Sequence, residues 1–138
     1  MYIVSAVVGV DAELTGTSVD ENRIISRWRE ISADDQNQLR DRVDEILRPL
    51  GFETRLLVMD RAESIALCFL CMELSAVMSL RDQWQSGQLK NIVQSLFTFL
   101  LGATHPAVLV KRLAWALTDY ERSLMFFSSI QGISRSFL

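Results

Sequence analysis

The first apolar stretch of the chain predicts a strand. Residues 2–10, YIVSAVVGV, are rich in β-branched side chains and give way to the polar run DAELTGTSVDEN. The apolar positions in residues 23–31 fit either the second strand of a hairpin or a short helix. Ile25, Trp28 and Ile31 can face a core in both cases, so the pattern leaves this choice open.

Residues 32–50 predict the clearest helix. Ser32 is a good N-cap, and the two aspartates that follow in the first turn favour the helix dipole. Gly51 predicts the end of this helix, and Pro49 moves the end of its regular part to residue 47 or 48. Its apolar face consists of Leu39, Val43, Ile46, Leu47 and Leu50.

Two further apolar runs, residues 53–59 and 64–73, predict an antiparallel hairpin joined by the tight connection DRAES. Residues 77–86 then predict a short helix that Gly87 interrupts. A strong helix follows at residues 88–101 and stops at Gly102. Its apolar face consists of Leu89, Ile92, Val93, Leu96, Phe99 and Leu100.

The C-terminal part predicts a short strand at residues 106–112 and a final helix at residues 117–130. Thr118 and Glu121 have the spacing of a capping box at the start of that helix. Residues 132–138 predict a loose tail.

These elements predict an α+β fold. Their order is strand, helix, strand, strand, helix, strand, helix, which is typical of a ferredoxin-like antiparallel sheet in split βαβ order. The helices are expected to pack on one face of the sheet, with an extra helix at the C-terminus. Residues 1–131 are predicted to form this single domain.

Composition excludes several classes of protein. The chain has 138 residues, 49% of them hydrophobic, which is enough for a packed core that needs neither a metal nor a disulfide. The net charge of −3 argues against a nucleic-acid-binding protein. The apolar runs at residues 65–80 and 96–110 are interrupted and shorter than the roughly 20 residues of a spanning helix. The start also lacks the basic segment of a signal peptide. We therefore expect a soluble, cytoplasmic protein without a membrane span.

The motif C-x-x-C at Cys68 and Cys71 raises the question of metal or redox chemistry. On a strand, side chains three residues apart point to opposite faces, so these two thiols cannot bind one ion together. A zinc site also needs two more ligands, and the chain offers one histidine and no further cysteine. Both thiols are predicted to be buried and inert.

Other candidate chemistry is equally sparse. His105 has no nucleophile or orienting acid near it in sequence. The acid pairs at residues 34–35 and 44–45 lie on or near a helix with arginines close by, which favours a solvated charged face. Arginines alternate with Trp28 in NRIISRWRE, as in some single-strand-binding surfaces, but Glu21 and Glu30 flank that run. The sequence therefore predicts no catalytic residue, no cofactor and no metal, and hence no enzyme.

Aromatic residues beyond the needs of a core point instead to a binding surface. The run LMFF covers both faces of a helix, although a surface helix uses about half of its positions for the core. We therefore predict that Trp28, Trp84, Phe126 and Phe127 contact a partner protein.

The second half of the chain carries a more specific pattern. It contains a short helix ending at Gly87, a long helix, a histidine in the next loop and the final motif D-x-E-R-x-L. The segments LRDQWQSGQLKNIVQSLFTFLLGATHP and LTDYERSL resemble the N-terminal domain family of TRADD, the death-domain adaptor of the TNF-receptor pathway. The segment SAVVGVDAEL resembles the first strand of that domain. The final motif consists of Asp119, Glu121, Arg122 and Leu124.

This resemblance implies a protein-binding module. The TRADD domain uses side chains on its sheet to bind the C-terminal domain of a TNF-receptor-associated factor, and related domains occur in immune and cell-death signalling proteins. The family's contact residues are not retained at Val7, Gly9, Met59, Arg61 and Ala66. The resemblance therefore implies the fold and the class of role, but not the partner.

Taken together, the sequence predicts a non-catalytic adaptor domain that binds a signalling protein or a second copy of itself. Two alternatives remain open. One is a small-ligand regulatory domain or small enzyme on the same sandwich, because this fold supports many functions. The other is a self-association module that forms homo-oligomers through its helices.

Overall fold

The computed structural model describes residues 5–15, 20–34, 36–61, 64–102 and 108–136, with the side chains from residue 130 onward excepted. Within these residues the chain forms four strands and five helices. The strands are β1 (Ala6–Leu14), β2 (Thr54–Arg61), β3 (Ile65–Cys71) and β4 (Val110–Ala114). The helices are α1 (Glu21–Ala33), α2 (Arg40–Leu47), α3 (Leu74–Ser86), α4 (Gln88–Leu101) and α5 (Leu117–Ser136). A 3₁₀ turn, Arg48–Leu50, follows α2.

The four strands form one open sheet in the order β2-β3-β1-β4, and all neighbours are antiparallel. The fold is therefore α+β, as predicted. The central strand β1 pairs with the whole length of β3, from Ala6 opposite Cys71 to Ala12 opposite Ile65. The short strand β4 pairs only with residues 11–14 of β1, while α5 packs against β1 and α3.

The core lies on one face of this sheet. Along β1, even-numbered residues such as Val8 and Val10 are buried, whereas Val7, Gly9 and Asp11 are exposed. This alternation is expected for a half-buried antiparallel strand. Helix α4 lies at the centre of the helical layer, in contact with α1, α2, α3 and β4. Its buried side chains are Leu89, Ile92, Val93, Leu96, Phe97, Leu100 and Leu101.

The ambiguous segment 23–31 is helical. Asp20 caps α1, and its carboxylate accepts a hydrogen bond from the backbone N–H of Arg23 at 3.1 Å. Such a cap satisfies one of the free N–H groups of the first turn. Trp28 and Ile31 then lie on the buried face at helical spacing.

The prediction of one helix over residues 32–50 was wrong at its start. Ser32 lies inside the last turn of α1, where its hydroxyl donates to the carbonyl of Arg29 at 3.4 Å. The carboxylate of Asp34 accepts from the N–H of Gln36, so the chain turns before α2 begins at Arg40. Gly51, with φ of 92°, ends the 3₁₀ turn as a glycine is expected to do.

The helices around Gly87 agree with the sequence pattern. Helix α4 has the predicted bounds, and Gly87 adopts a left-handed conformation between α3 and α4 with φ of 86°. Helix α3 is longer than predicted, because it starts at Leu74, directly after β3.

The C-terminal elements differ more from the predictions. Strand β4 occupies residues 110–114 in place of 106–112, of which 106 and 107 lie outside the described residues. The predicted cap at Thr118 was wrong, because α5 already begins at Leu117. The helix ends at Ser136 and is therefore longer than the predicted range of 117–130.

Candidate protein-interaction surface

The face of the sheet opposite the core is open to solvent in the described part of the chain. Register places Val7 beside Leu70, and Gly9 beside Cys68, on this side of the central strands. On the other side of β3, Val58 lies opposite Cys68. We call this surface the open face, and its apolar centre consists of Val7, Gly9, Leu57, Val58, Ala66, Cys68 and Leu70.

The open face is both apolar and accessible. Val7 is 62% exposed, and Leu57 and Val58 are 43% and 41% exposed. Leu57 and Val58 are exposed together because a bulge between Leu56 and Val58 interrupts the alternation of β2. A Cβ atom added at Gly9 would have no other atom within 4 Å, so the space above the backbone at the centre of the face is open.

Charged residues surround this apolar centre. Arg55 lies opposite Leu70, and Asp60 lies opposite Ala66, where it forms an ion pair with Arg29 at 2.7 Å. At the far side, Glu13 lies 3.5 Å from Lys111 and 3.6 Å from Arg112. An apolar centre inside a charged rim is the usual arrangement of a protein–protein interface.

The two thiols lie on opposite faces, as the strand prediction requires. The predicted burial is confirmed for Cys71, which is fully buried in the core, but was wrong for Cys68, which is half-buried on the open face. Burial raises the pKa of Cys71 from 9.0 to about 11, and a side-chain hydrogen bond with Thr54 acts in the opposite direction. A thiol with so high a pKa is almost wholly protonated near neutral pH, so Cys71 is a poor nucleophile. Among the described residues, no three His, Cys, Asp or Glu side chains are grouped to hold a metal ion.

Two of the four predicted partner-binding residues are buried. Trp28 packs in the core, and its indole Nε1 donates to the carbonyl of Leu57 at 3.4 Å. Phe127 is also buried, on the inner side of α5. A partner would not reach either side chain without a rearrangement of the core.

Trp84 belongs to an aromatic cluster around a buried arginine. The guanidinium of Arg81 lies 4.2 Å from the ring of Trp84, 5.1 Å from Trp115 and 4.9 Å from Tyr120. Its Nη1 donates to the carbonyl of Trp115 at 3.0 Å, and the Nε1 of Trp84 donates to the carbonyl of Leu113 at 2.8 Å. The cluster joins α3 to the end of β4 and the start of α5.

Phe126 is the most accessible of the four residues, with 42% of its surface exposed. It lies beside Met125, which is also exposed, and its ring meets that of Phe127 edge-on at 5.3 Å. The structure does not bring the four residues together, because Trp28 contacts the edge strand β2 and Trp84 contacts the opposite edge strand β4.

The remaining predicted chemistry is dispersed. Asp34, Asp44 and Glu45 are exposed, and Glu45 forms a surface ion pair with Arg42 at 3.0 Å. Asp35 and His105 lie outside the described residues.

The sequence reasoning missed the open face itself. Residues 65–71, IALCFLC, are apolar at both odd and even positions. A strand with one solvated face normally alternates apolar and polar residues. The apolar residues Ala66, Cys68 and Leu70, on the side of β3 away from the core, were therefore the signal that another molecule could bind this face.

Comparison with protein-family models, with curated proteins and with solved structures finds no match to this chain. In the described part of the chain, none of the helices combines the length and the apolar content needed to cross a membrane.

Proposed function

We propose that this chain is a non-catalytic protein-binding domain that docks a partner protein on the open face. The observation that supports this proposal most directly is the exposure of Val7, Leu57 and Val58 at the centre of a charged rim. Contiguous exposed apolar surface with a polar border is typical of interaction sites. A single exposed valine would carry no such meaning, but here Val7 of β1 and the exposed pair on β2 flank the half-buried Cys68 and Leu70 of β3.

The size of the face favours a transient complex. Four strands about 4.8 Å apart, each roughly seven residues long at about 3.3 Å per residue, give a face of roughly 400 Å². A stable interface of standard size buries about 800 Å² on each partner. The open face alone is smaller than that, so we expect modest affinity unless the partner also contacts the adjoining helices.

We also infer a ferredoxin-like arrangement of the sheet. The strand order β2-β3-β1-β4 with antiparallel neighbours makes β1 parallel to β2, with β3 between them. Likewise β3 is parallel to β4, with β1 between them. Two interleaved strand–helix–strand units of this kind support the split βαβ prediction.

The likeness to the TRADD N-terminal family supports an adaptor role for the domain. On that resemblance we propose a cytoplasmic function in death or immune signalling. The open face is the same class of surface, the face of a sheet, that the family uses for its partner. The TRADD likeness, the signalling role and the cytoplasmic location remain predictions.

The proposal is tested with substitutions on the open face and a matched control elsewhere. Partners recovered from cells that express the chain are purified, and their binding to the domain is measured by calorimetry. Val7→Lys and Val58→Lys should each weaken binding by about tenfold or more, since a charge is placed in the apolar centre. Met78→Lys changes an equally exposed apolar residue on α3 and should leave the affinity unchanged.

Hydrogen exchange on the purified complex gives the second readout. Amides of β1 and β3 should exchange more slowly when the partner is bound. Equal affinity of all three variants, or protection confined to the helices, would show that the open face is not the docking site.

A further inference from the structure

A second feature of the molecule, next to the open face, is a groove along the outer edge of β2. It has a volume of about 600 Å³ and lies between this strand, helices α1 and α2, and the turn that follows α2. Four consecutive strand residues, 54–57, line it, so the groove follows the edge of the strand. Strand β2 is terminal in the sheet and pairs with β3 only, within the described residues.

In the described part of the chain no strand lies on the outer side of β2, so its backbone offers hydrogen-bonding groups to this groove. The N–H of Met72 donates to the carbonyl of Glu53 at 2.8 Å, which makes these two residues a hydrogen-bonded pair of the ladder. Pairs of this kind alternate along an antiparallel ladder, so the next one joins Arg55 to Leu70. The main-chain groups of Thr54 and Leu56 therefore point away from β3, toward the groove. Unpaired edge groups of this kind are a template for another strand.

The opposite wall of the groove is apolar. Its accessible apolar residues are the half-buried Leu47 of α2 and the exposed Phe52. Core residues that are at most 5% exposed also line it, namely Trp28, Ile31, Val43 and Leu50. At the mouth of the groove, Phe52 is 95% exposed, which is extreme for a large aromatic side chain in a folded domain. Phe52 is thus free to cover a side chain that enters the groove.

The charges around the groove are mostly positive. Arg40, Arg48 and Arg55 line it, against one acidic residue, Asp44. Arg48 and Arg55 are exposed and form no ion pair within the described part of the chain. Arg40 donates to the carbonyl of Ser32 at 3.2 Å. Arg48 and Arg55 therefore favour an occupant with acidic side chains.

We propose that this groove binds an extended segment of a partner protein, which pairs with β2 as a fifth strand of the sheet. Alternate side chains of that segment are apolar and enter the groove, and acidic residues near them meet Arg48 and Arg55. Main-chain hydrogen bonds to Thr54 and Leu56 supply the sequence-independent part of the affinity, and the groove supplies the selectivity. A helix would leave the edge groups of β2 unpaired, so the observations favour a strand.

The test begins with a displayed library of random ten-residue peptides, selected on the immobilised full chain. The strongest binder is then synthesised for affinity measurements. We expect alternating apolar and acidic residues in the selected sequences. If no peptide binds, or if the selected peptides are basic, the proposal is overturned.

Backbone methylation of the synthesised peptide tests strand pairing directly. Because only every second amide of a strand faces its neighbour, N-methylation should abolish binding at alternate residues and be tolerated at those between them. If N-methylation is tolerated at every residue of the peptide, the peptide does not pair with β2 as a strand.

Matched variants of the protein then test the groove. Arg48→Glu should weaken peptide binding by about tenfold, because the peptide is acidic. Arg23→Glu, which changes an exposed arginine on α1 away from the groove, should not. Phe52→Ala should weaken binding and Phe126→Ala should not. Equal affinities within either pair would locate the peptide elsewhere.

The two proposed sites are separable by one further variant. Val7→Lys lies on the open face and should leave peptide affinity unchanged. If Val7→Lys loses peptide binding, the peptide binds the open face and the groove proposal is wrong. The proposed protein-binding function would still hold in that case. A concentration-dependent dimer that competes with the peptide would identify a second copy of the chain as the occupant and would also overturn the proposal.

Discussion

Replacement of Arg81 by alanine should destabilise the domain by about 3 kcal/mol, by far more than a surface arginine contributes. Arg81 is only 8% exposed and has no carboxylate partner among the described residues. Its charge is compensated instead by the carbonyl of Trp115 and by the faces of three aromatic rings. The alanine variant removes the cation and also the hydrocarbon stem that packs between α3 and α5.

The magnitude follows from these contacts. A hydrogen bond from a charged donor contributes about 1.5–3 kcal/mol. A cation–π contact contributes roughly 0.5–2 kcal/mol when desolvated, but one charge is shared by three rings, so the contributions are not additive. The alanine variant also removes the free-energy cost of keeping a charged group away from water, which offsets part of the loss. The remaining loss of about 3 kcal/mol is a large part of the roughly 5–15 kcal/mol that stabilises a typical domain.

Urea unfolding followed by tryptophan fluorescence measures this loss, since Trp84 and Trp115 lie in the cluster itself. Arg81→Met retains the stem and removes the charge, so it should cost less than the alanine variant. Arg122→Ala, an exposed arginine with an ion pair to Asp119 at 3.5 Å, is the control and should change stability by less than about 0.5 kcal/mol. If Arg81→Ala unfolds at the same urea concentration as wild type, the aromatic cluster does not stabilise the fold and the reasoning fails.

Three further predictions concern the helix α5 and the two thiols. Phe127→Ala should cost about 3 kcal/mol because Phe127 is buried, and Phe126→Ala should cost well under 1 kcal/mol; equal losses in urea unfolding would contradict the assigned faces of α5. In the native protein a maleimide should label Cys68 and leave Cys71 unmodified, as read by peptide mass spectrometry; native labelling of Cys71 would contradict its burial. Because the folded pKa of Cys71 is raised from 9.0 to about 11, stability should fall as the pH rises through that window, with a limiting slope of about 1.4 kcal/mol per pH unit. Cys71→Ala should remove that component of the slope in urea unfolding at pH 9 to 11, and an unchanged slope would show that this thiol does not ionise differently in the two states.

Local sequence signals were sufficient to predict the bounds of a helix where no neighbouring signal favoured a different boundary. Helix α4 has the predicted bounds because its apolar residues recur at helical spacing and a glycine lies at each end. Ser32 is a misleading signal because a good capping residue does not always start a helix. The segment before it was already helical, owing to the cap at Asp20.

Features that depend on contacts between residues far apart in the sequence could not be predicted from it. The bulge in β2 exists only relative to β3, and it is what exposes Leu57 and Val58 together. The cluster around Arg81 is similar. Its i,i+3 pair with Trp84 is visible in sequence, but Trp115 and Tyr120 reach it only through the packing of α5 on α3.

The two proposed binding surfaces are physically continuous, because Arg55 borders both of them. It lies in the row of the open face that contains Leu70 and Val7, and it also lines the groove. A segment paired with β2 would place every second side chain on the open-face side of the sheet, so it would extend that face by one strand of about 4.8 Å. Binding in the groove should therefore strengthen docking on the open face, and the reverse by the same factor. If each affinity is independent of the other ligand, the segment does not lie in the plane of the sheet.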